Sequence, residues 1–313
     1  MVGHVPVMLS EVLDVFQCIE GEALLAPMRF LDATFGGGGH TSALLDHFQL
    51  AHVEALDCDP AAVSRAQEVS LSYGDRFSFR SMNFEGLRHL SDVHYSGVLF
   101  DFGVSSFQLD TPERGFSFRY DAPLDMRMNP NEGMSAAMFL ETANYGELAM
   151  AIRGYGEEPR WRVICQAIQN ARGSGRLQTT RGLADLVIEA VGERWAQTAR
   201  MHPATRTFQG IRIAVNQELT AIEQALPEAF SRLLPGGVMA VISFHSLEDR
   251  IVKRFFRRMA GIAEHKGDAV PSQMRLVQAR LLNRKPLVAE ESETQENPRS
   301  RSARLRALIK EGR

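Results

Sequence analysis

Residues 31–45 read LDATFGGGGHTSALL. Four consecutive glycines, Gly36 to Gly39, separate an apolar run from an amphipathic one. Glycine loses more backbone freedom on folding than any other residue. Four in a row mark either a flexible turn or one where the main chain itself approaches a ligand closely. FLDATF (30–35) has the length and apolarity of a buried strand, and HTSALLDHF (40–48) has helical spacing. Outward from the turn the alternation continues. HVEALDC (52–58) reads as a strand, and PAAVSRAQEVS (60–70) as a helix with Pro60 in its first turn, where a missing N–H does no harm. FSFRS (77–81) is a strand, FEGLRHL (84–90) a short helix and SGVLFDF (96–102) a strand. This pattern predicts an α/β fold, a mostly parallel, doubly wound sheet with helices on both faces.

Composition sets the outer bounds. A chain of 313 residues, 44% of them apolar, suits an ordinary globular protein of one large or two smaller domains. A net charge of −3 excludes the global basic field of a dedicated nucleic-acid binder, so any such partner must be met by a local basic patch. Cys18, Cys58 and Cys165 have neither zinc-ligand nor CxxC spacing, which fits a reducing, cytoplasmic setting with no metal. The start, MVGHVPVMLSEV, lacks the pattern of a signal peptide, and no apolar run approaches the roughly 20 residues of a membrane span.

Beyond the first sheet the pattern changes. LSEVLDVFQC (9–18) is an amphipathic helix, but 107–204 hold no clear buried strand. They carry RGFSFRYDAPLDMRMNP and then helical stretches: AMFLETA, GELAMAI, RVICQAIQNA and LADLVIEAV, with RGSGR (172–176) as an exposed connector. From Thr205 one buried stripe, Phe208, Ile211, Val215, Leu219, Ile222, Leu226, Phe230 and Leu233, predicts a long helix, kinked or restarted at Pro227. LPGG (234–237) reads as a turn into the strand VMAVISF (238–244), followed by the helix SLEDRIVKRFFRRM (246–259). Residues 290–298 read as an acidic mobile loop, and RSRSARLRALIK as a last strand. The expected organisation is a discontinuous domain, 1–107 with 208–313, interrupted by a helical domain at 108–207.

A glycine-rich turn at the carboxyl end of a first parallel strand is where such sheets bind ligands. Asp57 ends the next strand, in ALDCDP, where an acid can accept both hydroxyls of a ribose. Asp59, just before Pro60, is the better helix-capping acid, which leaves Asp57 for a ligand. Asp101 ends the fourth strand, and Asp32 precedes the turn, placed to meet a cation. Thr41 stands where a GxGxxG fingerprint has its third glycine, and there is no GxxxxGK[ST]. A ligand with a ribose, an adenine and a cationic, phosphate-free tail fits better, namely S-adenosylmethionine. Phe84 opens the helix after the third strand and either lines an adenine pocket or packs in the core.

The chain also resembles the RsmH (MraW) family. The matching stretches are HVPVMLSEV, DATFGGGGHT, ALDCDP, LFDFGVSSFQLDTPERGFSFRYDAPLDMRM, HPATRTFQGIRIAVNQEL, LPGGVMAVISFHSLEDRIVKRFF and ENPRSRSARLR, which span nearly the whole chain in order. The resemblance implies a class I methyltransferase fold with an inserted helical domain. It implies methylation of N4 of a cytidine in 16S ribosomal RNA of the small subunit, in the decoding region, with S-adenosylmethionine as cofactor. It implies cofactor contacts at Gly38, Gly39, His40, Asp57, Phe84, Asp101 and Gln108. The oligomeric state, a homodimer included, stays open. One departure is Pro159-Arg160-Trp161 after YGEE, which bears on RNA docking and not on the cofactor.

The chemistry asked of such an enzyme is to make the delocalised lone pair of a cytosine amine nucleophilic. Hydrogen-bond acceptors that hold its N–H groups do this. Asp101 is the expected catalytic acceptor, and Ser243 and His245 in SFHS are candidates on the neighbouring strand end, with a satisfied loop histidine the plain alternative for His245. Arg114, Phe116, Phe118, Arg119 and Tyr120 form either a stacking surface for an unpaired base or a lid packed on the insertion. Two basic surfaces could hold phosphates: Arg250, Lys253, Arg254, Arg257 and Arg258 on one helix, and Arg299, Arg301, Arg304 and Arg306. Two rival readings remain, a nicotinamide-dependent oxidoreductase and a non-catalytic RNA-binding protein on the same fold.

Overall fold

The structure, a computed structural model, describes residues 6–25, 27–90, 92–192 and 201–312. His4 and Val5 of the HVPVMLSEV stretch lie outside the described residues. The chain divides into two compact units, Met1–Gly103 with Leu219–Arg313, and Val104–Glu218. The second is wider at both ends than 108–207. Its first helix is capped by Ser105, and the helix through 207 continues unbroken to Asn216.

The first unit opens with α1 (Leu9–Phe16), then β1 (Arg29–Asp32), α2 (Gly39–His47), β2 (His52–Asp57), α3 (Ala62–Tyr73), β3 (Phe77–Ser81) and β4 (Tyr95–Asp101). Phe84–His89 form a 3₁₀ turn. Pro60 falls just outside α3, which starts at Ala62, while Asp59 accepts the Ala61 N–H at 3.0 Å and so turns the chain into the helix.

The second unit is helical: α4 (Ser106–Asp110), α5 (Ala136–Thr142), α6 (Tyr145–Ala149), which runs on as a π-helical segment Met150–Tyr155, α7 (Trp161–Ala171), α8 (Thr180–Val191) and α9 (Ala204–Asn216). Pro159 sits in the turn before α7 and is not its first residue. The RGFSFRYD loop packs on this unit's own core. Phe116 is buried, and Phe118 stacks on His202 at 4.3 Å and meets the Phe208 ring edge-on at 5.0 Å. Arg114 donates to the carbonyls of Arg127 and Met128. Of the five loop residues, Arg119 and Tyr120 are the exposed ones.

The long helix breaks at Gln217, not at Pro227. Gln217 is left-handed, with φ 50° and ψ 33°. Asn216 fixes the break by donating to the carbonyls of Met126 and Arg212 while accepting the Met128 N–H. Arg212 grips Glu218 with two bonds of 2.8 Å. Pro227 lies inside α10 (Glu218–Ser231) on its exposed face, where the carbonyl left without its N–H is open to solvent and the helix tolerates it.

The chain returns to the sheet with β5 (Leu233–Ser243), α11 (Ser246–Met259), β6 (Ala279–Leu281), α12 (Glu291–Glu296) and β7 (Arg304–Lys310). The strand order is β3-β2-β1-β4-β5-β7-β6. The first five strands are parallel, and β7 runs antiparallel to both neighbours. LPGG is not a plain turn. It is a bulge in β5, between the pairs Tyr95↔Leu233 and Gly97↔Val238. Gly236 has φ 80°, and a Cβ there would collide with the Glu20 carbonyl, so only glycine fits. The acidic segment is partly helical, and Glu293 accepts the Met8 N–H at 2.8 Å.

Both faces of the sheet are covered. Phe30, Val53, Leu99, Ala240 and Leu305 face one core with Phe16, Leu44 and Leu45. Their strand neighbours Leu31, Leu56, Val98, Phe100 and Val241 face the other, with Phe230, Phe255 and Phe256. Successive residues point to opposite faces and both faces are dry, so these strands read as continuous apolar runs. Lys310, at the end of β7, donates its ammonium to the carbonyls of Phe230 and Ser231 at the end of α10 and of Leu233 at the start of β5.

Asp249 of α11 pairs with Arg306 of β7 through bonds of 2.7 and 3.2 Å, both side chains about nine-tenths buried. Removing one partner strands a buried charge. Asp249→Ala should lower the unfolding free energy by about 3–5 kcal/mol in denaturant titrations, while a double replacement of both by apolar residues should cost much less.

Candidate cofactor site

The order β3-β2-β1-β4-β5 reverses direction at β1. Chains wind outward on either side of it, so the crevice at the carboxyl ends of β1 and β4 is the topological switch point. Asp32, Asp57, Asp101 and Ser243 each end one of the neighbouring strands β1, β2, β4 and β5. In-register parallel pairing puts them along one rim.

The glycine turn is held from behind by two of these acids. Asp57 accepts the Gly36 N–H on Oδ2 and the Asp59 N–H on Oδ1, both at 2.8 Å. Arg65 of α3 donates to the Gly36 carbonyl at 2.8 Å. Asp32 is buried and accepts the Thr41 hydroxyl at 2.7 Å and the Thr34 N–H at 3.1 Å. It ties the turn to α2, so the expected meeting with a ligand cation does not describe it. Gly38 has φ 78°, and a Cβ there would stand 2.8 Å from the Phe35 ring, so the backbone and the packing both demand glycine. Gly38 caps α2, and Gly39 is its first residue.

Burial raises the pKa of both acids. For Asp32 the hydroxyl of Thr41 opposes the shift. The Asp57 carboxyl is pushed up to about 6 by burial, against the pull of the two N–H groups it accepts.

His40, the second residue of α2, places Nε2 3.6 Å from Asp101 Oδ2. Both His40 ring nitrogens and Asp101 Oδ1 are buried with no hydrogen-bond partner among the described residues. Thr34 accepts the Asp101 N–H at 2.6 Å and links β4 to the turn. Phe84, half-buried after β3, meets the buried Phe100 of β4 edge-on at 5.7 Å and lies 5.8 Å from the buried Phe102.

Gln108, His245 and Ser243 have local partners. Gln108 belongs to the second unit, where it is buried and closes a capping box with Ser105 at the start of α4. His245 is the N-cap of α11. Its Nδ1 accepts the Glu248 N–H at 3.4 Å, which leaves the ring proton on Nε2, 3.2 Å from Glu248 Oε1. Glu248 is fully buried and accepts the N–H groups of Phe244 and His245. Ser243 donates to the Arg304 carbonyl.

The sequence profile of the MraW methylase family matches residues 1–311. The chain belongs to the MraW methylase family. Among its relatives, the ribosomal RNA small subunit methyltransferase H of Heliobacterium modesticaldum is 43% identical over 98% of each chain. That of Thermomicrobium roseum is 45% identical over 97% of this chain and 92% of its own. A crystal structure of a Streptococcus mutans protein in complex with SAH covers 99% of both chains at 11% identity, with a TM-score of 0.45, too low to carry an argument.

Family membership makes the chain a methyltransferase with a class I α/β fold and S-adenosylmethionine as its methyl donor. The site of this MraW-family chain suits such a donor in one respect that needs no ligand to see. The three unpartnered polar atoms of His40 and Asp101 sit beside a turn that lacks Cβ atoms, at the switch point. Three residues of the site had no signal of their own in the sequence. Thr34 is an ordinary residue in the loop after β1 and Arg65 one on a helix, and Glu248 stands out only as the fourth residue of the capping pattern HSLE.

A carboxyl whose folded-state pKa is raised stabilises the fold fully below its unfolded pKa, and that contribution is lost as pH rises through the folded value. For Asp57 the window runs from the ordinary 3.8 to about 6. Across it, the ligand-free chain should lose on the order of 3 kcal/mol of stability relative to Asp57→Asn. Urea titrations at several pH values read this difference, and a flat difference would exclude a raised carboxyl.

Proposed function

We propose that this chain transfers a methyl group from S-adenosylmethionine to the exocyclic N4 amine of a cytidine in 16S ribosomal RNA of the small subunit, in the decoding region, in the cytoplasm. The observation that carries the reading is the end-to-end relationship to proteins named as small-subunit ribosomal RNA methyltransferases, in a chain with an acid-lined switch point. No helix among the described residues is long and apolar enough to cross a membrane, which is compatible with that setting.

When bound, the donor supplies a methyl group on a sulfonium, already activated for displacement. The chain's own work is positioning. Asp57 has lone pairs left after its two main-chain bonds, and these accept the ribose hydroxyls. Gly38 and Gly39 let the main chain approach the donor, and Phe84 gives the adenine an apolar wall. His40 and Asp101 direct their unpartnered atoms to the polar end of the donor and to the amine. Asp101 acts as the catalytic acceptor: a carboxylate oxygen that holds an amine hydrogen localises the lone pair on N4 and aims it. Alignment of this kind is worth up to about 7–11 kcal/mol of barrier in the best cases. The target base must leave its stack to reach the rim. His245 fixes the start of α11 through Nδ1, and its Nε2 has no hydrogen-bond partner among the described residues.

Incubating the protein with labelled donor and small subunits from a strain lacking this gene, then analysing the RNA by mass spectrometry, should find one added methyl group on N4 of one cytidine. Methylation of another base or atom, or none, would overturn the assignment. Asp57→Ala should weaken donor binding by about 3 kcal/mol or more, as two charge-assisted bonds are lost. Near-normal affinity in calorimetry would refute the ribose role.

A further inference from the structure

In the first unit a cleft of about 240 Å³ is lined by residues of α11 and of the segments around β6 and β7. Lys253, Arg257, Arg284 and Arg306 line it with Phe256 and Asn283, and no acid does. In a chain of net charge −3 this is a local concentration of positive charge. The two basic stretches seen in the sequence contribute to it unequally, and Arg284 joins from neither.

The cleft has fixed walls and two loose cations. Arg306 is locked to Asp249 through Nε and Nη2. Arg257 turns its Nε to the Ala263 carbonyl. Asn283 is committed to main-chain partners, donating to Lys285 and Leu305 and accepting from Ala307. Phe256 is a buried floor. Lys253 and Arg284 are exposed, and neither has an ion-pair or hydrogen-bond partner among the described residues. Four cations against the single acid Asp249 leave the cleft strongly positive. A flexible lysine and arginine at the mouth of a preformed basic cavity suit a tetrahedral anion with a bulky substituent, and the cavity holds little more than a phosphate and a ribose.

We infer that this cleft seats a backbone phosphate of the RNA substrate. The inference rests on the reading of RNA as substrate, and it gives that RNA a second point of attachment on the first unit, separate from the methyl-transfer rim.

The test measures binding of protein-free 16S ribosomal RNA to the full chain over a range of salt. Lys253→Glu and Arg284→Glu should each lower affinity about tenfold or more, the loss of one charge-assisted contact, and should flatten the slope of log affinity against log salt by roughly 0.7–1. Arg254→Glu, the same change on the same helix but outside the cleft, should have a clearly smaller effect. Donor affinity should be unchanged in all three, which shows that they fold. Unchanged RNA affinity in the cleft variants, or an equal loss in Arg254→Glu, would overturn the seat in favour of a diffuse field. If the variants behave as expected while mass spectrometry finds no methylation, the function falls and the RNA seat stands.

Discussion

Two carboxylates hold the glycine turn from behind, and the site depends on them. Asp57 and Asp32 are anchored at the ends of adjacent strands and accept hydrogen bonds from the turn and from the start of α2. A run of four glycines left to itself would sample many conformations. Bound to rigid strand ends it has one. The arrangement is costly in isolation, because burial opposes charge on both acids. Thr34 extends the same linkage across to Asp101, so the turn and the two flanking strands form one hydrogen-bonded set.

The sheet supports this rim by being dry on both sides. Its parallel strands alternate their side chains between two cores, which leaves the carboxyl edge as the place where polar groups can gather. The late elements lock that edge. α11 starts at the end of β5, capped by His245 and by the buried Glu248, and Asp249 on its next residue reaches over to Arg306 of β7. The histidine of SFHS thus caps α11 through Nδ1, while its Nε2 has no hydrogen-bond partner among the described residues.

Much of the first unit was legible because buried parallel strands are apolar runs between helical ones. FSFRS and SLEDRIVKRFFRRM match their elements residue for residue. The readings that failed turn on contacts distant in sequence. The helix stripe from Phe208 to Leu233 is continuous, yet the chain breaks at Gln217 because Asn216 is drawn to Met126 and Met128. Pro227 faces water and is tolerated. β6 has three residues, ARL, too few for any periodicity, and exists because β7 offers it a partner. At the site, Asp57 and the glycines announce themselves by residue type, whereas the part played by Asp32 depends on Thr41, nine residues on, and its inward aim cannot be read from order alone.

The interruption between β4 and β5 also bears on how the molecule is made. β4 lies at the centre of the finished sheet, yet its partner on one side is β5, and residues 102–232 intervene. β7, which is inserted beside β5, comes later still. During synthesis an apolar central strand must therefore wait with one edge bare while more than a hundred residues emerge, and contacts of such long separation form slowly. The nascent chain is most exposed to mispairing in that interval, and a chaperone that shields strand edges has its natural moment there.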